Sequence, residues 1–230
     1  MILRQLFDGE SFTFTYLLGD ERTKRALLID PVIEQAERDL RLVAELGLKH
    51  HYVLETHVHA DHVTGAGVLA ERTGAVTAAS ELGASCANGH LRDGDAITIG
   101  DVTLRALATP GHTRDSMSFT TPGHVFTGDA LFVRGTGRTD FQNGDSGALY
   151  DSITQKLFAL PDETLVWPGH DYHGHAVSSI GEERRLNPRV AGKTREEFMQ
   201  IMGELELAPP KKIQIAVPAN LACGRQQSGP

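Results

Sequence analysis

Thr56-His57-Val58-His59-Ala60-Asp61-His62 places three imidazoles and a carboxylate within six residues, directly after the apolar run Tyr52-Val53-Leu54. Imidazole nitrogen and carboxylate oxygen are the donors that zinc and non-haem iron take from proteins, so the chemistry this density offers is metal chemistry. The pattern recurs along the chain. Leu104 to Ala108 ends at Thr109-Pro110-Gly111-His112-Thr113, Val125-Phe126-Thr127 ends at Gly128-Asp129, and Thr164-Leu165-Val166-Trp167 ends at Pro168-Gly169-His170. A polar surface loop would account for one histidine cluster. It does not account for His or Asp after three further strand-like runs, because strand ends are where loops bring side chains together around a ligand.

The elements that position these donors are short and alternate in type. Phe12 to Leu18 and Arg25 to Asp30 read as strands parted by the turn Gly19-Asp20-Glu21. From Ile33 to Leu46 the apolar positions Ala36, Leu40, Val43 and Ala44 follow helical spacing, with Gly47 as the stop. A strand at Tyr52 to Glu55 delivers the histidine cluster, and a helix is expected from about His62 to Arg72, closing at Gly74. Further strands are expected at Val76 to Ala79, Ala96 to Ile99 and Val102 to Ala108, and helices at Gly147 to Leu160 and, capped by Thr194, Arg195 to Leu205. Strands this numerous do not fit a simple series of βαβ units. They indicate a layered α/β domain with helices covering sheets.

With 230 residues the chain is expected to form a single domain over 1–224, with a flexible tail at 225–230. Its 22 Lys and Arg against 30 Asp and Glu give a net charge of −8, which disfavours a phosphate-backbone binder and hence a nucleic-acid partner. No apolar run reaches spanning length, and Asp8 interrupts the N-terminus before a signal-peptide core develops, so a soluble, cytoplasmic protein with no membrane partner is expected. Cys86 and Cys223 are too few for a disulfide framework or a cysteine-rich zinc site. They read as small buried or incidental thiols in a reducing compartment.

Thr56 to His62, Gly111-His112-Thr113, Gly128-Asp129 and Gly169-His170 together resemble the ligand set of the metallo-β-lactamase superfamily. Gly128 to Leu131, Arg134 to Gln142, Pro168 to Gly174, Glu183 to Arg189 and Ala216 to Leu221 are similar to segments of its persulfide dioxygenases. The resemblance extends to about Gly224. It implies an α/β fold, an αββα sandwich of two facing mixed β-sheets with helices on the outer faces and the metal in a cleft at one edge.

The resemblance also implies an activity: oxidation of glutathione persulfide by O2 and water to glutathione and sulfite at one mononuclear non-haem Fe(II) per chain. By position, the iron ligands fall on His57, His112 and Asp129, a two-histidine, one-carboxylate face that leaves sites open for persulfide and O2. His59, Asp61, His62 and His170 are then partners of the ligands or, alternatively, ligands of a second metal. In that alternative, a glyoxalase II-type dizinc thioester hydrolase, His57, His59 and His112 hold one zinc, Asp61, His62 and His170 the other, and Asp129 bridges. A non-catalytic metal-binding protein on the same fold is a further alternative. The Arg134 to Gln142 segment, the Arg189 region and the short C-terminus favour the dioxygenase. Glutathione carries two carboxylates, which makes Arg138 and Arg189 candidates for substrate binding. Tyr172 joins the catalytic set as a hydrogen-bond donor to substrate. Asp115 and Ser116 are candidate partners of His112, the remaining histidines read as structural, and a homodimer is expected.

Overall fold

The chain is described by a computed structural model over residues 1–225. Of the tail expected at 225–230, all but Arg225 lies outside the described residues. The first sheet runs in the order β1 (Ile2–Asp8), β2 (Thr13–Gly19), β3 (Arg25–Ile29), β4 (Lys49–Leu54), β5 (Val76–Ser80), β6 (Gly89–Leu91). β1 to β3 pair antiparallel, and β3 to β6 pair parallel, with crossovers through helices α1 (Ala36–Glu45) and α2 (Ala66–Thr73) between β3 and β5. Leu17 and Leu28 from the strands pack with Val43 of α1 and Leu69 of α2 in one buried cluster, which is what the helical spacing of the apolar residues is for. Gly47 and Gly74 stop the two helices in left-handed conformation (φ 65° and 74°), where a Cβ is disfavoured.

The second sheet has the order β12 (Ser178–Ser179), β11 (Leu165–Pro168), β10 (His124–Gly128), β9 (Met117–Thr121), β8 (Val102–Ala108), β7 (Ala96–Ile99). Only the β10–β11 pair among its registered pairs is parallel, so both sheets are mixed, as expected for the class. Helices α3 (Ser146–Asp151), α4 (Ile180–Leu186) and α5 (Arg195–Gly203) follow, and α6 (Ile213–Leu221) comes last. Leu149 of α3, Ile180 of α4 and Phe198 of α5 share a second buried cluster with Val125 and Val166 of the strands. α5 begins in a full capping box, with Thr194 Oγ1 accepting the Glu197 N–H and the Glu197 carboxylate accepting the Thr194 N–H. The chain divides into two compact units. One comprises Met1–Leu91, Ala96–Leu104 and the segment from Pro209; the other comprises Arg92–Asp95 and Arg105–Ala208.

Three local expectations change. The single helix expected at Gly147 to Leu160 is α3, a π-helical turn (Ser152–Lys156) and a 3-10 turn (Leu157–Ala159). The Ser152 hydroxyl bonds the Pro110 carbonyl and the Thr154 hydroxyl bonds the Tyr150 carbonyl, so side chains compete with the regular helical ladder there. The helix expected from His62 begins only at Ala66, because the Thr64 N–H is taken by the Asn220 side chain and the Ala66 N–H by Thr64 Oγ1. Finally, Cys86 and Cys223 are not free thiols. They form a disulfide, with Cα atoms 6.0 Å apart, which removes the basis of the inference to a reducing compartment. The sequence separation of 137 residues left that pairing without a local signal. No helix among the described residues is long and apolar enough to cross a membrane.

Candidate metal centre

In the first unit, β3 and β4 run parallel and end side by side, and Asp30 at the end of β3 organises the loop that leaves β4. Its backbone is left-handed (φ 51°), an uncommon conformation for a residue with a Cβ. The backbone N–H of Asp30 binds the Leu54 carbonyl, and its carboxylate accepts the Thr56 N–H at 2.7 Å and the Thr56 hydroxyl at 2.8 Å. With its proton given to Asp30, Thr56 Oγ1 accepts from His57 Nδ1 at 3.0 Å. The hydrogen-bond pattern therefore leaves the Nε2 of His57 as the lone-pair nitrogen.

His59 and His62 are almost wholly buried. His59 Nε2 lies 3.1 Å from Asp30 Oδ1 and 3.3 Å from Glu55 Oε2. Burial alone would lower the His59 pKa, but the two carboxylates outweigh it and hold the imidazole well above its usual range; burial in turn raises Glu55. His62 Nδ1 meets Asp61 Oδ2 at 2.9 Å and Thr13 Oγ1 at 3.3 Å. Buried His59 Nδ1 and His62 Nε2 have no hydrogen-bond partner among the described residues. Two overlapping donor groups thus exist here, His59-Asp61-His62 and Asp30-Glu55-His59. Beneath them Asn220 bonds the carbonyls of His59 and His62 and accepts the Thr64 N–H, at 2.8–2.9 Å.

In the second unit, His112 sits on the turn after β8, next to Gly111 at φ 141°, where an added Cβ would lie 2.3 Å from Leu149 Cα. His112 Nδ1 lies 2.6 Å from the Arg138 carbonyl oxygen, so that nitrogen carries the proton and Nε2 keeps its lone pair. Nε2 approaches Asp129 Oδ2 to 3.5 Å, and His170 Nε2 approaches Asp129 Oδ1 to the same distance. These contacts are too long for hydrogen bonds, and Asp129 Oδ1 is buried with no hydrogen-bond partner among the described residues. Two imidazole nitrogens that converge on one carboxylate at 3.5 Å form a donor set of the kind that suits a shared cation. Ser116 Oγ accepts the Thr113 N–H and so braces the His112 turn, while Asp115 is buried beside it.

The expected substrate residues fall into two kinds. Arg138 forms a bidentate pair with Asp140 (2.6 and 2.7 Å), donates to the Ala208 and Leu207 carbonyls, and lies 4.5 Å over the Phe141 ring. Its guanidinium is thus largely engaged within the chain. Arg189 is half-buried and donates to the Thr136 carbonyl and hydroxyl at 2.7 and 3.1 Å, with no carboxylate paired to it among the described residues. Burial lowers its pKa, though a guanidinium stays charged. Tyr172 is 57% exposed with its ring stacked on His170, centroids 5.9 Å apart. Asp30, Glu55 and Asn220 escaped the reading of the sequence as site residues. Asp30 ends a recognised strand and Asn220 lies in the recognised Ala216 to Leu221 segment, but nothing local tied either to the histidines.

The model of the metallo-β-lactamase superfamily matches residues 8–85 and 89–170. The chain is 49% identical to the mitochondrial persulfide dioxygenase ETHE1 of Homo sapiens over 98% of its own length and 90% of that protein's. The crystal structure of ETHE1 from Myxococcus xanthus superposes with a TM-score of 0.97 at 62% identity, covering 98% of this chain and all of that one. A hydroxyacylglutathione hydrolase from Polaromonas is 37% identical over 75% of this chain and 67% of its own. The match along both sheets and the near full-length identity establish that the chain belongs to the metallo-β-lactamase superfamily and, within it, to the persulfide dioxygenases.

Proposed function

We propose that the protein oxidises glutathione persulfide with O2 and water to glutathione and sulfite, using one Fe(II) held by His57, His112 and Asp129. The observation that carries this reading is the 49% identity to a persulfide dioxygenase across 98% of the chain. The donor chemistry supports the same metal set: His57 and His112 each have Nδ1 engaged, which leaves Nε2 for an ion, and Asp129 has a buried oxygen with no hydrogen-bond partner. When bound, ferrous iron supplies the redox chemistry that joins O2 to the outer sulfur of the persulfide.

The chain's own groups bind and orient. Arg189, a cation without a carboxylate partner among the described residues, receives a glutathione carboxylate. Tyr172 offers an exposed phenol to the same substrate from its stack on His170. The Asp140 pair and the Leu207 and Ala208 carbonyls already occupy most donors of Arg138, so it contributes less to binding than Arg189. Its carbonyl sets the proton on His112. In the same reading His59, Asp61, His62 and His170 orient groups or move protons rather than bind the iron, His59 being itself held by Asp30 and Glu55 and His62 by Asp61.

The grouping of His59, Asp61 and His62 keeps a second reading in view, the dizinc thioester hydrolase. The lower identity and partial coverage of the hydroxyacylglutathione hydrolase weigh against it. Metal content of protein purified without oxygen, measured alongside O2 uptake on adding glutathione persulfide, separates the two. About one iron per chain with persulfide-dependent O2 consumption and sulfite formation is expected. Two zincs with thioester hydrolysis and no O2 uptake would replace this reading by the hydrolase. A homodimer in the cytoplasm belongs to the same proposal, to be tested by light scattering and cell fractionation.

A further inference from the structure

The C-terminal helix is tied to the histidine loop by the Asn220 side chain and, through one covalent bond just beyond the helix, to Cys86 in the segment between β5 and β6. α6 buries only Ala216 and Asn220, exposes Ile215 and Leu221, and carries Pro218 within it, which removes a backbone donor. Packing alone is a thin hold for such a helix. Yet Asn220 makes three hydrogen bonds to the loop: Nδ2 to the His59 and His62 carbonyls and Oδ1 from the Thr64 N–H. Directly after the helix, the Cys223 carbonyl accepts the Gly67 N–H, and Cys223 is bonded to Cys86. A Cβ on Gly67 would lie 2.5 Å from the Cys223 carbonyl oxygen, and one on Gly224 would lie 2.1 Å from that of Thr64, so the two segments are in direct backbone contact.

We propose that Asn220 is a positioning residue for the histidine loop, and that the Cys86–Cys223 bridge makes its hold on that loop responsive to thiols. Cys86 is half-buried and Cys223 is 5% exposed, so an incoming thiolate reaches Cys86 Sγ first. A bond forms between the thiol sulfur and Cys86, the bridge breaks, and Cys223 leaves as a thiolate. A second thiol then attacks the mixed disulfide, releasing the oxidised thiol dimer and the Cys86 thiolate. Two electrons pass from the two thiols to the bridge, and both protein sulfurs take up protons. Glutathione, the thiol product under the function proposed above, is a reductant of the required class. With the bridge gone, α6 is held by the buried Ala216 and Asn220, by Val217 against the cluster of Val58 and Ala79, and by the Lys212 ion pairs to Glu10 and Glu34, and the backbone carrying His57 to Thr64 gains freedom. The inference rests on the proposed function for its metal and its thiol, but not for the contacts themselves.

The test starts from full-length protein purified without reductant, in which alkylation and mass spectrometry should find no free thiols, and two after glutathione treatment. Amide hydrogen exchange over residues 57–64 and Fe(II) affinity, measured anaerobically, are then compared in both states and in Cys86→Ser, Asn220→Ala and Asn220→Asp. Reduction should speed loop exchange and weaken Fe(II) binding about tenfold, the lower end of effects from groups that support ligands, with far-UV circular dichroism unchanged. Cys86→Ser should behave as the reduced protein with or without glutathione. Both Asn220 variants should bind Fe(II) weakly and respond little to thiol, and Asn220→Asp, which keeps the acceptor, serves should Asn220→Ala fail to fold. Two free thiols in the untreated protein, or equal loop exchange in the bridged and reduced states, would overturn the proposal. Loop exchange requires no turnover, so failure here is distinguishable from failure of the dioxygenase reading.

Discussion

His112 and Asp129 are fixed by the same short loop: the Arg138 carbonyl takes the Nδ1 proton of His112 at 2.6 Å, and the N–H of the preceding residue, Gly137, binds the Asp129 carbonyl at 2.9 Å. A Cβ at Gly137 would lie 2.4 Å from the Asp129 carbonyl oxygen and 2.9 Å from His112 Nδ1. Gly137→Ala is therefore expected to push the loop from both ligands and cut metal affinity about 10- to 100-fold. Gly135→Ala is the control, because its nearest neighbour would be 3.8 Å away, an ordinary contact. Its stability should change by no more than about 0.5 kcal/mol. Metal titration and thermal melting of the two variants check the contrast.

Glu183 holds the start of that loop from beneath. Its fully buried carboxylate accepts the Arg134 N–H at 2.9 Å, the Arg134 guanidinium, the Ser178 hydroxyl and the Asn187 amide, and Asn187 in turn bonds the Gly135 carbonyl. Glu183→Gln keeps the shape and removes one of the two carboxylates on Arg134, whose guanidinium retains Glu182. It should cost about 2 kcal/mol, the scale of hydrogen bonds to a charged group, read from urea denaturation.

Asp39, on α1, is buried with Arg38 as its ion partner among the described residues, and burial raises its pKa from 3.8 to about 6 against the opposing pull of that arginine. Between these values the folded protein binds more protons than the unfolded chain, so stability falls as pH rises through the window and stays lower above it. Asp39→Asn should gain about 2 kcal/mol at pH 8, after allowing for the lost Arg38 pair, and the gain should shrink toward pH 4. Urea denaturation of both proteins across pH 4–8 tests the sign: a gain that grows toward low pH would contradict it.

For Arg189, exchange to lysine keeps the charge and loses the planar fork. Arg189→Lys should raise KM for glutathione persulfide about tenfold with kcat little changed, the pattern of lost uniform binding. Tyr172→Phe should act in the same direction but more weakly, since one hydrogen bond is removed. Steady-state O2 uptake over a range of persulfide concentrations gives both constants.

The candidate metal donors were readable because metal chemistry restricts residue type and because each follows a short apolar run that ends in a turn, as at Gly111-His112 and Gly128-Asp129. Helix stops at Gly47 and Gly74 and the cap at Thr194 were readable for the same reason: their causes lie within a few residues. What escaped depends on distance along the chain. Asp30 acts on Thr56 across 26 positions and Asn220 on His59 across 161, and neither residue type announces a partner. The break after Asp151 came from the Ser152 hydroxyl finding Pro110, a tertiary contact that helical periodicity does not carry. Arg138 stands out by its motif, and the ion pair with Asp140 that the structure adds lies only two residues along the chain.

The span between His59 and Asn220 also sets an order of events during synthesis. The ribosome releases the histidine loop 161 residues before the amide that braces it, a lag on the order of ten seconds at typical elongation rates. Cys86 likewise emerges 137 residues ahead of the only sulfur it pairs with. A nascent chain thus carries its densest cluster of imidazoles unbraced until Asn220 has emerged.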